Sequence, residues 1–150
     1  MPIYKRIVCC LDFSPQAEAA FAAALAQARA DQAELTLLHV VHSGAPQLPG
    51  EKPSAARRLS REELKARLEQ EMDQRYAQKA GGYPLSVRLR RGLPSVEILD
   101  ELAQSGADLV VMGAEGLSGV GLFLLGSTAE RVSRRAPCSC LVVRTPRPEE

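Results

Sequence analysis

The chain has 150 residues, 45% of them hydrophobic and 25% charged, with a formal net charge of +1. That length suits one domain with a core of its own, expected to span residues 1–150. The near-neutral balance excludes wholesale attraction to nucleic acid or to an anionic membrane, and the absence of Trp weakens any reading based on base stacking.

No apolar stretch is long enough to span a bilayer. Residues 1–6 lead straight into a strand without a signal-peptide core, so the expected compartment is the cytoplasm. The run Ile7-Val8-Cys9-Cys10-Leu11 predicts the first strand. Ser14-Pro15 then supplies an N-cap with Pro at the first helical position. Ala17, Ala20, Phe21, Ala24, Leu25 and Ala28 recur at helical spacing and predict the buried face of that helix. Residues 35–41 predict a second strand, and residues 43–53, with two Gly and three Pro, a surface loop.

Ser60 with Glu63 three residues on is a capping box, followed by the stripe Leu64, Leu68, Met72 and Tyr76; Gly81-Gly82 ends the segment. Leu85-Ser86-Val87-Arg88-Leu89 alternates apolar and polar, as a half-exposed strand near a sheet edge does. Arg88, Arg90 and Arg91 are then the wet face of that edge. A third helix is expected from Pro94 to Gly106, with Val96, Leu99, Leu102 and Ala103 inward. Residues 109–112 predict a fourth strand, a loop runs over 113–125, a fourth helix ends near Arg135, and residues 140–143 predict a fifth strand. Residues 146–150 are expected to fray.

Apolar strands alternating with helices indicate an α/β fold: a doubly wound parallel sheet with helices on both faces. In such a sheet ligands bind beyond the carboxyl ends of the strands, where the strand order reverses. Asp12 and Gly113 leave the first and fourth strands at that end and are expected to share one crevice. Cys9 and Cys10 must face opposite sides of a strand. With Cys138 and Cys140 they lack the spacing of a structural zinc site and read as small buried hydrophobes. His39 and His42 also face opposite sides, so a two-His metal site is not expected.

The pattern that carries chemistry is Gly113-Ala114-Glu115-Gly116, nine residues, then Gly126-Ser127-Thr128. Strand, glycine loop and helix start together aim backbone N–H groups and the positive end of a helix dipole at one spot, where a phosphate fits. The loop is not a P-loop, because Ser127 stands where the lysine would be, nor the dinucleotide loop, because Asp12-Phe13-Ser14 follows the first strand. On glycines alone an ordinary flexible connection is an equally good reading.

These residues resemble the universal stress proteins, in the branch whose nucleotide motif is Gly-x2-Gly-x9-Gly-Ser/Thr. Gly113, Gly116, Gly126 and Ser127 fit that spacing without a gap. The likeness runs through Leu11-Asp12-Phe13-Ser14, Leu38-His39-Val40, Gly92-Leu93-Pro94, Ala107 to Gly113, Gly126 to Val132 and Ala136-Pro137-Cys138. It implies a Rossmann-like five-stranded sheet in the order 3-2-1-4-5 that holds ATP at its carboxyl edge, or ADP or AMP, with Mg²⁺ accompanying the nucleotide. By position, Asp12 would contact the nucleoside end and the Val40 backbone the adenine edge. Met112 and Gly113 would line base and ribose, and Gly116 would let the loop approach the phosphates. Gly126, Ser127 and Thr128 would donate from the helix start. Asp12 also suits a purely local role beside the Ser14-Pro15 helix start.

Two positions depart from the family pattern: Glu115 and Leu117 stand where a basic or imidazole residue is common. An acidic group near a triphosphate repels by about 1 kcal/mol when solvent-screened. Glu115 therefore weakens ATP, points away, or receives a bridging divalent metal. Leu117, Val120, Leu122 and Phe123 make the loop apolar, suited to a lid or a partner surface. No Ser/His/Asp or Cys/His set has the spacing of a nucleophilic site, so any hydrolysis is expected to be slow. Three functions follow: a stress-response regulator that signals by ATP occupancy, a nucleotide-free interaction module with an unidentified protein partner, and a slow ATPase. A homodimer through the apolar edge of the fifth strand is expected, and neither nucleic acid nor membrane as a partner.

Overall fold

The computed structural model describes residues 2–41, 60–114 and 126–145. Five strands, β1 (Arg6–Cys10), β2 (Glu34–Val41), β3 (Leu85–Arg91), β4 (Leu109–Gly113) and β5 (Ser139–Val143), pair in parallel in the order β3-β2-β1-β4-β5. That is the order the resemblance implied. β1 lies in the middle, with Val8 opposite Thr36 on one side and Val110 on the other. Ile7, Val8 and Cys9 are buried there, which explains the unbroken apolar run: a strand covered on both faces has no wet side for alternation to report.

The first face carries α1 (Pro15–Asp31) and α2 (Arg61–Met72), which share a core with Ile7, Cys9, Leu35, Leu37 and Val111. The buried residues of α1 are Ala17, Ala20, Phe21, Ala24, Leu25 and Ala28, the stripe expected from spacing. Ser14 caps it, its Oγ accepting the Ala17 N–H at 3.3 Å, and Ser60 caps α2 in the same way, accepting from Glu63 N at 3.1 Å. Leu64, Leu68, Met72 and Tyr76 are all buried as expected, but they recur every four residues. In an α-helix each such step overshoots a full turn by about 40°. The chain takes up the drift by widening into a π-turn, Asp73–Ala77, which returns Tyr76 to the core.

The opposite face carries α3 (Pro94–Ser105) and α4 (Ser127–Arg135), packed on Val8, Leu38, Val110 and Met112. Cys10, Cys138 and Cys140 pack partly buried against this second core, while Cys9 faces the first, so the two adjacent cysteines do divide between the faces. Gly106 ends α3 with φ +69°, a conformation that costs a side-chain-bearing residue about 1–2 kcal/mol.

Here two expectations need correcting. The buried residues of α3 are Ser95, Ile98, Glu101 and Leu102; Val96 and Ala103 are exposed and Leu99 only half-buried. The helix is rotated because Glu101, 3% exposed, faces β3 and meets Arg90 Nε at 2.8 Å and Arg88 at 3.2 Å. Arg90 also reaches Glu97 and Gln104, with only 14% of its side chain exposed. Arg90 is therefore not part of a wet face. β3 is the edge strand, but this arginine is folded over it into an ion-pair network.

Candidate functional site

The order of the sheet reverses between β1 and β4, and the chain leaves both strands at the same edge. A cleft of about 170 Å³ opens there. Of the eight residues proposed from sequence, Asp12, Val40, Met112, Gly113, Gly126, Ser127 and Thr128 all line it. The eighth, Gly116, lies outside the described residues, as do Glu115, Leu117, Val120, Leu122, Phe123 and His42. Sequence reading did not anticipate Cys10, Leu38, Pro94 and Ile98 in the same wall. Cys10 and Leu38 reach it as register partners at the ends of β1 and β2, and Pro94 and Ile98 through the packing of α3 across the sheet.

The walls differ in character. Leu38, Val40, Pro94, Ile98 and Met112 make one side apolar, suited to a flat hydrophobic group. The other side is the start of α4. Gly126 stands at its N-cap, accepting the Glu130 N–H at 2.9 Å, and no side chain among the described residues caps the helix. The amides of its first turn therefore face the cleft with the positive end of the helix dipole behind them. Gly126 N itself donates to Ala114 O at 2.6 Å, which ties the start of α4 to the end of β4. Among the described residues that line the cleft there is no Lys or Arg, so anion recognition on these walls rests on backbone N–H groups. Arg134, two turns into α4, pairs with Glu130 at 3.0 Å.

The end of β1 is held by several hydrogen bonds. Leu11 N donates to Leu38 O at 2.9 Å, one residue past the strand, and its carbonyl accepts from His39 Nδ1 at 2.7 Å. Since a carbonyl can only accept, the proton sits on Nδ1. Asp12 Oδ1 accepts the Ser14 N–H at 3.0 Å, closing an Asx turn into α1. Between them Phe13 has φ +64°, in the left-handed region. For a bulky residue that conformation costs on the order of 1–3 kcal/mol and persists only where the surroundings hold it. Its ring packs 4.7 Å from the His39 ring, centroid to centroid, with the Arg75 guanidinium 5.1 Å from its centre on the helix side. Asp12 thus lines the cleft while Phe13 turns away to the α2 face.

Burial pushes the His39 pKa below its ordinary value, against the opposing pull of the Leu11 hydrogen bond and of Asp12, so the ring is neutral at pH 7. Burial likewise raises the Cys10 thiol, helped by Cys9, Cys140 and Asp12 nearby, which keeps it an inert wall rather than a nucleophile. Among the described residues no group of three or more His, Cys, Asp or Glu is placed to hold a metal, and no helix is long and apolar enough to cross a membrane.

Comparison with known proteins agrees with this fold. The model of the universal stress protein family matches residues 3–144. A Staphylococcus epidermidis chain that carries the universal stress protein name is 35% identical over 147 residues, covering 95% of this chain and 85% of its own. Among solved structures, universal stress protein UspA from Lactobacillus plantarum superposes with a TM-score of 0.75 at 32% identity, over 94% of this chain and 98% of its own. A universal stress protein solved in complex with cAMP gives a TM-score of 0.65 at 26% identity, covering 93% of this chain and 96% of its own.

Proposed function

The chain belongs to the universal stress protein family, and from that premise we propose that it binds an adenine nucleotide, ATP foremost, and signals stress by occupancy rather than by turnover. The observation that carries the proposal is the convergence of seven sequence-selected residues on one cleft, apolar on one side and formed by the start of α4 on the other. A family structure in complex with cAMP supports an adenine nucleotide as the class of ligand.

In this reading the base lies against Val40 and Met112, and Asp12 meets the nucleoside end. Gly113 leaves room for the ribose, and the α4 start at Gly126, Ser127 and Thr128 receives the phosphates, with Gly116 approaching from the loop. The described cleft, about 170 Å³, is smaller than the roughly 300–1,000 Å³ of pockets that enclose a whole small molecule. The triphosphate would therefore extend past the described walls, where Mg²⁺ would accompany it. Without a lysine or arginine on these walls, ADP and AMP are the natural competitors of ATP. Asp12 is the one described carboxylate on the cleft, and this reading sets it at the nucleoside end rather than beside the phosphates, which favours a binding signal over an ATPase. Among the described residues β5 pairs only with β4, and its Leu141 is 40% exposed, so the same reading includes a homodimer through that edge.

Thermal unfolding of nucleotide-free protein with ATP, ADP and AMP, each with Mg²⁺, tests the proposal. Ligand at a hundred times its dissociation constant stabilises by about 2.7 kcal/mol, a rise in Tm of roughly 5–10 °C. No shift with any of the three at millimolar concentration would overturn nucleotide binding and favour the interaction module. Phosphate release above background would favour the ATPase.

A further inference from the structure

Phe13 is the described non-glycine residue at the cleft edge whose backbone is in an unfavourable region, and its neighbours are placed to hold it there. The residue before it, Asp12, lines the cleft and accepts the Ser14 N–H; the residue after it, Ser14, is 2% exposed and caps α1. The Phe13 side chain lies on the opposite side of the chain, with the His39 ring 4.7 Å away and the Arg75 guanidinium 5.1 Å from its centre. Both neighbours are anchored in turn. His39 donates to Leu11 O at 2.7 Å, and Arg75 bonds Glu71 at 3.1 Å from within the π-turn.

We propose that Phe13 is a positioning residue of the cleft: its ring, clasped between His39 and Arg75, holds the left-handed turn that aims Asp12 at the bound nucleoside. The inference rests on the proposed nucleotide site for its functional meaning. The left-handed φ at residue 13 closes the turn in which Asp12 Oδ1 takes the Ser14 N–H, with Asp12 lining the cleft and Phe13 packed toward the α2 layer. Left to its intrinsic preference, a phenylalanine returns to negative φ, which rotates the Asp12–Ser14 peptide units and breaks the Asx turn. The clasp opposes that return. The π-turn has a part in it, because it carries Arg75, the residue next to the buried Tyr76, over the ring.

The test uses substitutions that separate ring from backbone. Phe13→Ala removes the ring and keeps the strain; Phe13→Gly removes the ring and the strain together. Phe13→Tyr keeps both. Hydrogen exchange of the Ser14 amide reads the turn without any nucleotide, and calorimetric titration with ATP reads the site. In Phe13→Ala, Ser14 exchange and the ATP dissociation constant are each expected to rise about tenfold. Phe13→Gly is expected to recover most of both, and Phe13→Tyr to match the wild type.

Wild-type exchange in folded Phe13→Ala, or equal impairment of the Ala and Gly variants, would overturn the proposal. So would unchanged ATP affinity in Phe13→Ala when the wild type binds ATP. If Phe13→Ala does not fold, Arg75→Met decides. It leaves residue 13 intact and loses the cation over the ring, with Ser14 exchange expected to rise about threefold and an unchanged rate overturning the clasp. Because Ser14 exchange needs no ligand, a wild type that binds no nucleotide defeats the proposed function separately from the clasp.

Discussion

Arg90 Nε donates to Glu101 Oε1 at 2.8 Å, across the seam between the edge strand β3 and helix α3. The carboxylate is only 4% exposed and the guanidinium 14%, so each is left nearly dry if the other is removed. The pair sets the rotation of α3, and through it the position of Ile98 and Pro94 in the wall of the cleft. Removing one partner of a buried pair costs about 3–5 kcal/mol. Since Arg90 retains Glu97 and Gln104, Glu101→Ala is expected near the low end, about 3 kcal/mol in urea unfolding. A loss below about 1 kcal/mol would mean that water screens the network as it does a surface pair.

His39 makes stability depend on pH. Its folded pKa lies below the ordinary value of 6.5, because burial disfavours the cation. The unfolded chain therefore binds this proton at a higher pH than the folded chain does. In that window the unfolded state holds more protons, so stability increases with pH. The contribution is fully present above 6.5 and is lost as pH falls from there toward the folded pKa. Urea unfolding from pH 8 to 5 should show wild type losing more stability than His39→Gln. Parallel curves would show that His39 titrates normally in the fold.

Gly126→Val separates fold from binding. Gly126 has φ −59° and ψ 154°, values open to any residue, so the variant should fold with a loss of about 1 kcal/mol or less. Its branched side chain would stand at the start of α4, where the phosphates are proposed to approach. Nucleotide binding by calorimetry should disappear while the circular dichroism spectrum stays that of the wild type. Wild-type affinity would place the nucleotide elsewhere.

Tyr76 is fully buried, its ring centre 4.8 Å from that of Phe21, and its hydroxyl has no partner at hydrogen-bond geometry among the described residues, although Arg75 lies close enough to act on it. A buried hydroxyl without a partner costs about 1–3 kcal/mol. Tyr76→Phe keeps the ring and removes that cost, so it should stabilise the protein by about 1 kcal/mol. Destabilisation in the same urea titration would reveal that the hydroxyl is satisfied in solution.

Periodicity, caps and glycine spacing are local quantities, and what they determine was legible in the chain. The α1 stripe from Ala17 to Ala28, the Ser14 and Ser60 caps, the alternating edge strand at Leu85 to Leu89 and the doubly wound sheet all follow from residues within a turn or two of one another. The glycine motif at Gly113 and Gly126 and the resemblance built around it named seven residues of one cleft, because residues at the ends of parallel strands must share an edge. Tertiary structure decided the remainder. The rotation of α3 depends on Glu101 finding Arg90 and Arg88 eleven or more residues away, a pairing that reverses the rule that charge faces water. The π-turn depends on how much drift the core under Tyr76 tolerates. The left-handed Phe13 depends on a strand and a helix meeting over one ring. Each is a balance between a local preference and contacts distant in sequence, and the distant contacts exist only after the chain has folded.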